Sequence, residues 1–273
     1  MKRGAVTGPP VPREHGSWAL LLAGFILGTA ASPSPAAASG GLCLALIVSA
    51  HFLRASLNNA LSRRPYPGVR LWAALWLTVS GSAAAALVWI AGPRFLWTIP
   101  PALVGAATLA LLPRIRARKR LDRTLFGEAL ATWVAGIAAP FAYFVGTGAD
   151  GSRALSLWIV QCAIGASGVF HVRMLLCAGR MRGVANEELR RRCGRGNLLY
   201  HGGMGIAMIA ALRLAPIPFA LCLMIGVAPL VARALLGWRR LGPRMPDFIR
   251  VGIGESLYAV WCASLSAAAF RAF

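Results

Sequence analysis

Apolar residues in this chain come in runs of about 20, the length of helix that crosses a bilayer, separated by short polar segments. The runs fall at 18–31, 41–57, 71–92, 95–112, 125–146, 154–177, 197–213, 216–236 and 251–270. Hydrocarbon offers no partner to an open N–H or C=O, so each span is read as helix, and no run has the alternation that would close a β-barrel. The pattern predicts an all-α, polytopic membrane bundle of nine transmembrane helices. It forms one domain over residues 1–273, with 1–16 as a polar N-terminal segment. Pro100, Pro101, Pro216 and Pro218 sit near span starts, where a missing N–H costs little. Pro140 and Pro229 fall inside spans and are expected to kink them. Trp18–Ala31 followed by Ser32-Pro33-Ser34-Pro35-Ala36-Ala37-Ala38 also imitates a signal peptide with a small-residue cleavage site. An uncleaved first helix fits the same topology.

Composition sharpens this picture. Of the 273 residues, 58% are hydrophobic, more than a soluble domain of this size would cover. The formal charge is +21, and the basic residues lie between the apolar runs. With the N-terminus inside, 25 of the 29 Lys and Arg fall in cytoplasmic segments, leaving Arg94, Arg153, Arg213 and Arg271 outside. Such an asymmetry orients the bundle N-in and C-out. It also explains the basic excess through anionic headgroups, without nucleic acid. The six cysteines form no C-x-x-C pair and several fall mid-span. They are read as small packing residues, neither ligands nor disulfides.

The densest polar chemistry lies in Phe170–His201, where a dense basic loop is expected between two spans. It begins Phe170-His171-Val172-Arg173, runs through Arg180, Arg182, Arg190, Arg191, Arg192 and Arg195, and closes on Tyr200-His201. A shorter counterpart, His51-Phe52-Leu53-Arg54 leading to Arg63-Arg64-Pro65, follows the second span. Arg54 and Arg63 are nine apart, as are Arg173 and Arg182, a faint sign that spans 1–4 and 5–8 repeat a four-helix unit. All four histidines, His15, His51, His171 and His201, map to the cytoplasmic half, as do Glu14, Glu128 and Glu255. Ionisable groups at membrane depth are costly and face the bundle interior or a wet cavity. His51, Arg54 and Asn58 share one helix face at i, i+3 and i+7, and Ser167 and His171 share another. Arg173 points roughly to the opposite side of its helix, where it can simply snorkel.

Three readings fit these residues. Arg54, Arg63, Arg64, Arg173 and Arg182 can form an anion site. The histidines can hold a metal or haem, although no two have helical ligand spacing. The charges can also pair with one another to tie helices together. Glu255 lies in Gly252-Ile253-Gly254-Glu255-Ser256, where small neighbours permit close approach; no strand precedes it, so a dinucleotide fold is excluded.

Pro12-Arg13-Glu14-His15-Gly16-Ser17-Trp18-Ala19-Leu20-Leu21 resembles the opening of the YwiC-like family of bacterial membrane proteins. Ser17 stands in place of that family's usual alanine. Val172-Arg173 and Arg250-Val251-Gly252-Ile253-Gly254-Glu255 resemble its later motifs. The resemblance implies a bacterial inner-membrane location and no established reaction. The architecture resembles a second group, the UbiA-type intramembrane prenyltransferases, which have nine helices and polar cytoplasmic loops after helices two and six. Those enzymes hold magnesium and an isoprenoid diphosphate on two Asp-rich motifs. Here the corresponding positions read Leu57-Asn58-Asn59-Ala60-Leu61-Ser62-Arg63-Arg64-Pro65 and His171 to Gly183, without an aspartate. Mg²⁺ needs carboxylates, so no metal ligand carries over and no cofactor is expected.

The resulting expectation is a pocket for an anionic lipid or isoprenoid-phosphate-like ligand. It is built from His15, His51, Arg54, Asn58, Arg64, Glu128, His171, Arg173, His201 and Glu255. Membrane lipids are the expected partners, and His171 or Glu128 the candidate acid–base group should a metal-free reaction occur. The alternative is a small-anion transporter or accessory subunit whose buried charges are structural.

Overall fold

The computed structural model describes residues 15–34, 37–61, 65, 67–115, 124–146, 148–181, 183–243 and 245–272. These residues form ten α-helices and no strand. They are α1 (His15–Ala31), α2 (Ala37–Ala60), α3 (Val69–Ala91), α4 (Ile99–Ile115), α5 (Leu125–Gly136), α6 (Ala138–Val145), α7 (Gly151–Arg180), α8 (Asn186–Leu214), α9 (Ile217–Arg239) and α10 (Phe248–Ala272). A 3₁₀ segment, Pro93–Thr98, leads into α4. Each of the nine apolar runs falls on helix. Among the described residues, six stretches are long and apolar enough to cross a membrane: Ala38–Ala60, Val69–Ala91, Leu125–Val145, Gly151–Arg180, Ile217–Arg239 and Phe248–Ala272. Ser17–Ala31 is a shorter apolar helix. The chain is therefore an all-α, polytopic membrane protein.

The two internal prolines behave differently. Pro140 has no N–H to return to the Gly136 carbonyl, and the span breaks there into α5 and α6 around Ile137. α9, in contrast, continues through Pro229 as one helix. The basic stretch expected as a long loop is mostly helix: α7 runs to Arg180 and α8 starts at Asn186. Glu187 and Glu188 in the first turn of α8 favour that start, where the helix dipole stabilises negative charge. Glu188 also pairs with Arg191 and Arg192 at i+3 and i+4.

Helix α1 sits at the centre, packed along α6 on one side and α10 on the other. Toward α6 it presents Gly24, Gly28 and Ser32, one turn apart. A Cβ at Gly28 would run into the Ala139 carbonyl, and Ser32 Oγ hydrogen-bonds the Gly146 carbonyl. Toward α10 it presents Ala23, Leu27 and Ala31, buried against Ala259, Cys262, Ala263 and Ala267. In lipid there is no hydrophobic drive between helices, so close backbone approach through small residues supplies the packing.

One expectation about cysteine is overturned. Cys177 of α7 and Cys193 of α8 form a disulfide with their Cα atoms 5.5 Å apart. A 16-residue separation carries no sequence motif, and the helical hairpin alone brings the two thiols together. Cys43, Cys162, Cys222 and Cys262 are free.

Candidate functional site

α1, α5 and α10 begin, and α2, α7 and α9 end, at the same end of the bundle; there the polar side chains gather. A cavity of about 670 Å³ opens between α1, α2, α4, α5, α7 and α10. Its polar wall consists of Ser17, His51, Arg54, Asn58, Glu128, Arg173 and Glu255, with Thr98 and Thr132 further along. The rest is apolar, including Leu46, Ile47, Ile99, Leu103, Ile137 and Phe141. From Glu128 to Phe141 is 13 residues, roughly 20 Å of helical rise, so the cavity reaches from the polar end well into the bundle.

Three local arrangements set that wall. His51 Nε2 lies 3.1 Å from Ser17 Oγ, and its ring meets the Trp18 indole edge-on at 4.6 Å. Arg173 donates from Nη1 to Glu128 Oε2 at 2.9 Å, joining α7 to α5. This side chain, which could equally have snorkelled, turns inward because Glu128 in the first turn of α5 gives it a charged partner. Gly168 lets the Glu255 carboxylate lie close to the α7 backbone; a Cβ there would stand 2.9 Å from Oε2.

Behind Glu255 lies a buried polar network. Arg233 of α9 pairs with the Glu255 carboxylate through Nη1 and donates from Nη2 to Ser167 Oγ at 2.8 Å. Its guanidinium also lies 5.0 Å from the Tyr258 ring centroid. Ser167 Oγ is 2.8 Å from His201 Nε2, and His201 Nδ1 is 2.8 Å from the Asn197 carbonyl. A carbonyl only accepts, so Nδ1 carries the proton and Nε2 accepts from Ser167. Polarity thus runs one way, from Arg233 through Ser167 and His201 to the α8 backbone. Asn197 continues it by donating to the Ala234 carbonyl at 3.2 Å. The network ties α7, α8, α9 and α10 together.

The structure sorts the expected site residues into groups. His51, Arg54, Asn58, Glu128, Arg173 and Glu255 all line the cavity. His201 belongs to the buried network. His171 belongs to neither: it is 7% exposed, its ring lies against Gly237, and its Nδ1 has no hydrogen-bond partner among the described residues. Arg64, Arg63, Arg182 and the His15 side chain lie outside the described residues. Arg233 was missed. It stands three residues before the end of its apolar run and reads as another cytoplasmic base, whereas α9 runs on to Arg239 and holds Arg233 buried. The available signal was a Glu255 that needed a cationic partner.

Two carboxylates outside the membrane-spanning segments, Asp150 and Glu188, are held toward the ionised form. The Ser152 side-chain and backbone donors hold Asp150 below the usual carboxylate range. Hydrogen bonds from Arg191 and Arg192 do the same for Glu188.

Fold and site together define a polytopic α-helical membrane protein with paired buried charges beside an amphipathic cavity. Its residues 11–143 match the family of YwiC-like proteins. That stretch runs from before α1 into α6 and includes His51, Arg54, Asn58 and Glu128; the motifs around Arg173 and Glu255 lie beyond it. The chain matches no curated protein and no solved structure. Neither a UbiA-type fold nor prenyl transfer finds support in these comparisons.

Proposed function

We propose that the cavity holds the head of an anionic amphipathic ligand, a lipid or isoprenoid phosphate, with its tail along the apolar wall. The observation that carries this reading is one cavity with Arg54 and Arg173 at its polar end and an apolar wall beyond. Guanidinium groups pair bidentately with phosphate oxygens. An incoming phosphate would compete with Glu128 for Arg173, while Arg233 neutralises Glu255 from behind. A volume of about 670 Å³ suits a headgroup and part of a chain. Of the two acid–base candidates, Glu128 reaches the cavity and His171 does not.

The setting proposed for this site is a bacterial inner-membrane protein of one domain and nine crossings, N-terminus inside, arranged like the UbiA-type bundles. The YwiC-like match supports the bacterial membrane setting, and the helix on every apolar run and the charge asymmetry support the crossings and the orientation. A small-anion transporter fits less well: beyond the polar end, Thr98 and Thr132 are the polar side chains on the wall, which suits an acyl tail better than a hydrated path.

Native mass spectrometry of the purified protein tests the reading. The expected result is a co-purifying anionic lipid or lipid phosphate, reduced on Arg54→Ala and on Arg173→Ala. Undiminished retention in both variants overturns it and leaves the charges a structural role.

A further inference from the structure

The Cys177–Cys193 disulfide lies outside the cavity wall. The hairpin that it spans is already closed. α7 and α8 are joined by residues 181–185 alone, and Met174, Ala178, Leu189 and Leu241 form a buried cluster around Cys193. Tyr200 also donates to the Ala163 carbonyl at 2.7 Å, and Ser167 meets His201. The bond is therefore an added lock on helices that pack without it. Its position along them is regular. Cys177 stands one turn after Arg173 on α7, and Cys193 one and two turns before Asn197 and His201 on α8. The proposed N-in orientation puts it in a compartment where thiols are kept reduced and disulfides are usually transient and redox-sensing.

We propose that Cys177 and Cys193 form a reversible thiol–disulfide site, exchanged with a cytosolic low-molecular-weight thiol or dithiol protein, and that the bond locks α7 to α8 beside Arg173 and His201. Cys177 is partly exposed and Cys193 is buried, so an incoming thiolate attacks the Cys177 sulfur. A mixed disulfide forms there, and Cys193 leaves as a thiolate that takes up a proton. A second thiolate then attacks the external sulfur of the mixed disulfide and releases Cys177 as a thiol. Two electrons pass from the two external thiols, which end as their own disulfide. Oxidation by a disulfide or diazene-type oxidant runs the change backwards.

This inference rests on the orientation proposed above, and two measurements separate the failures. In the first, intact cells are acid-quenched and free thiols alkylated, then disulfides are reduced and alkylated with a heavier reagent before mass spectrometry. The Cys177 and Cys193 peptides should carry the thiol label in growing cells. They should carry the disulfide label after diamide, and return when diamide is removed, with Cys43 and Cys262 unchanged. Cys177→Ser should leave Cys193 a thiol under diamide, and Cys193→Ser the reverse. In the purified protein, hydrogen exchange over 174–197 should slow on oxidation. A pair that stays oxidised in growing cells, or that never joins under diamide, overturns the redox site. In the second, a membrane-impermeant maleimide is applied to spheroplasts. Protection of reduced Cys177 until lysis supports the orientation; labelling from outside overturns the cytosolic setting and the proposal with it.

Discussion

Glu255 and Arg233 face each other across α10 and α9, and the carboxylate that Arg233 holds is also part of the cavity wall. Their side chains are 16% and 8% exposed, so neither charge can return to water when its partner is removed. A buried pair of this kind adds little net stability over an apolar pair, whereas breaking it on one side costs about 3 to 5 kcal/mol.

Arg233→Leu should accordingly lower the thermal midpoint of the detergent-solubilised protein steeply, and Glu255→Leu similarly. The double variant should recover most of the loss. A double variant as unstable as the sum of the singles would show that the two residues do not act as a pair.

The Arg173–Glu128 pair is expected to behave otherwise. Its side chains are 38% and 30% exposed, and ion pairs open to solvent contribute about 0 to 1 kcal/mol. Glu128→Gln should leave the melting temperature nearly unchanged while altering anionic-lipid retention, because it frees Arg173. A large stability loss without any change in retention would assign the pair to structure alone.

Gly28 tests the packing of α1. Any side chain there meets the Ala139 carbonyl, a backbone atom that cannot rotate away. Overpacking costs about 1 to 3 kcal/mol, and sometimes more, so Gly28→Leu should reduce both the melting temperature and the yield of folded protein. Gly40→Leu, at a position with open space around it, is the control and should be close to neutral.

The pH dependence follows from Asp150, whose side chain caps α7 by accepting from Ser152 N and Arg153 N at 2.8 and 3.2 Å. Its folded pKa is lowered, so its contribution is present above the unfolded carboxylate value of about 3.9. It is lost as pH falls through the folded value. Asp150→Asn keeps a capping oxygen without the charge. Wild type should melt higher than this variant at neutral pH, and the two curves should converge as the pH is taken below about 3.9. A gap that persists in acid would remove the charge from the explanation.

Much of the fold could be read before any coordinates. Apolar runs of membrane length located every helix, because lipid leaves the backbone no alternative to internal hydrogen bonding. Pro140 announced the break between α5 and α6. The i, i+3, i+7 spacing put His51, Arg54 and Asn58 on one face, since that relation is local to a single helix. What chain order misses shares one character. It leaves Arg173 without its partner Glu128, reads Arg233 as a loop base, and reads Cys177 and Cys193 as packing residues. In each case the partner lies on another helix, and no local pattern encodes it.

The sequence by itself determined the class of this protein: an all-α, polytopic membrane chain with basic segments between its apolar runs and a few ionisable groups at helix ends. Each of those properties is a sum over neighbours along the chain, so chain order suffices to read it. Only the tertiary structure decided which ionisable groups meet. It drew Glu255 to Arg233, turned Arg173 to Glu128, set His171 apart from the cavity, and joined Cys177 to Cys193. In a low-dielectric interior a charge is tolerated only beside its partner, and the packing of α1 against α6 and α10 sets which helices stand close enough to supply one.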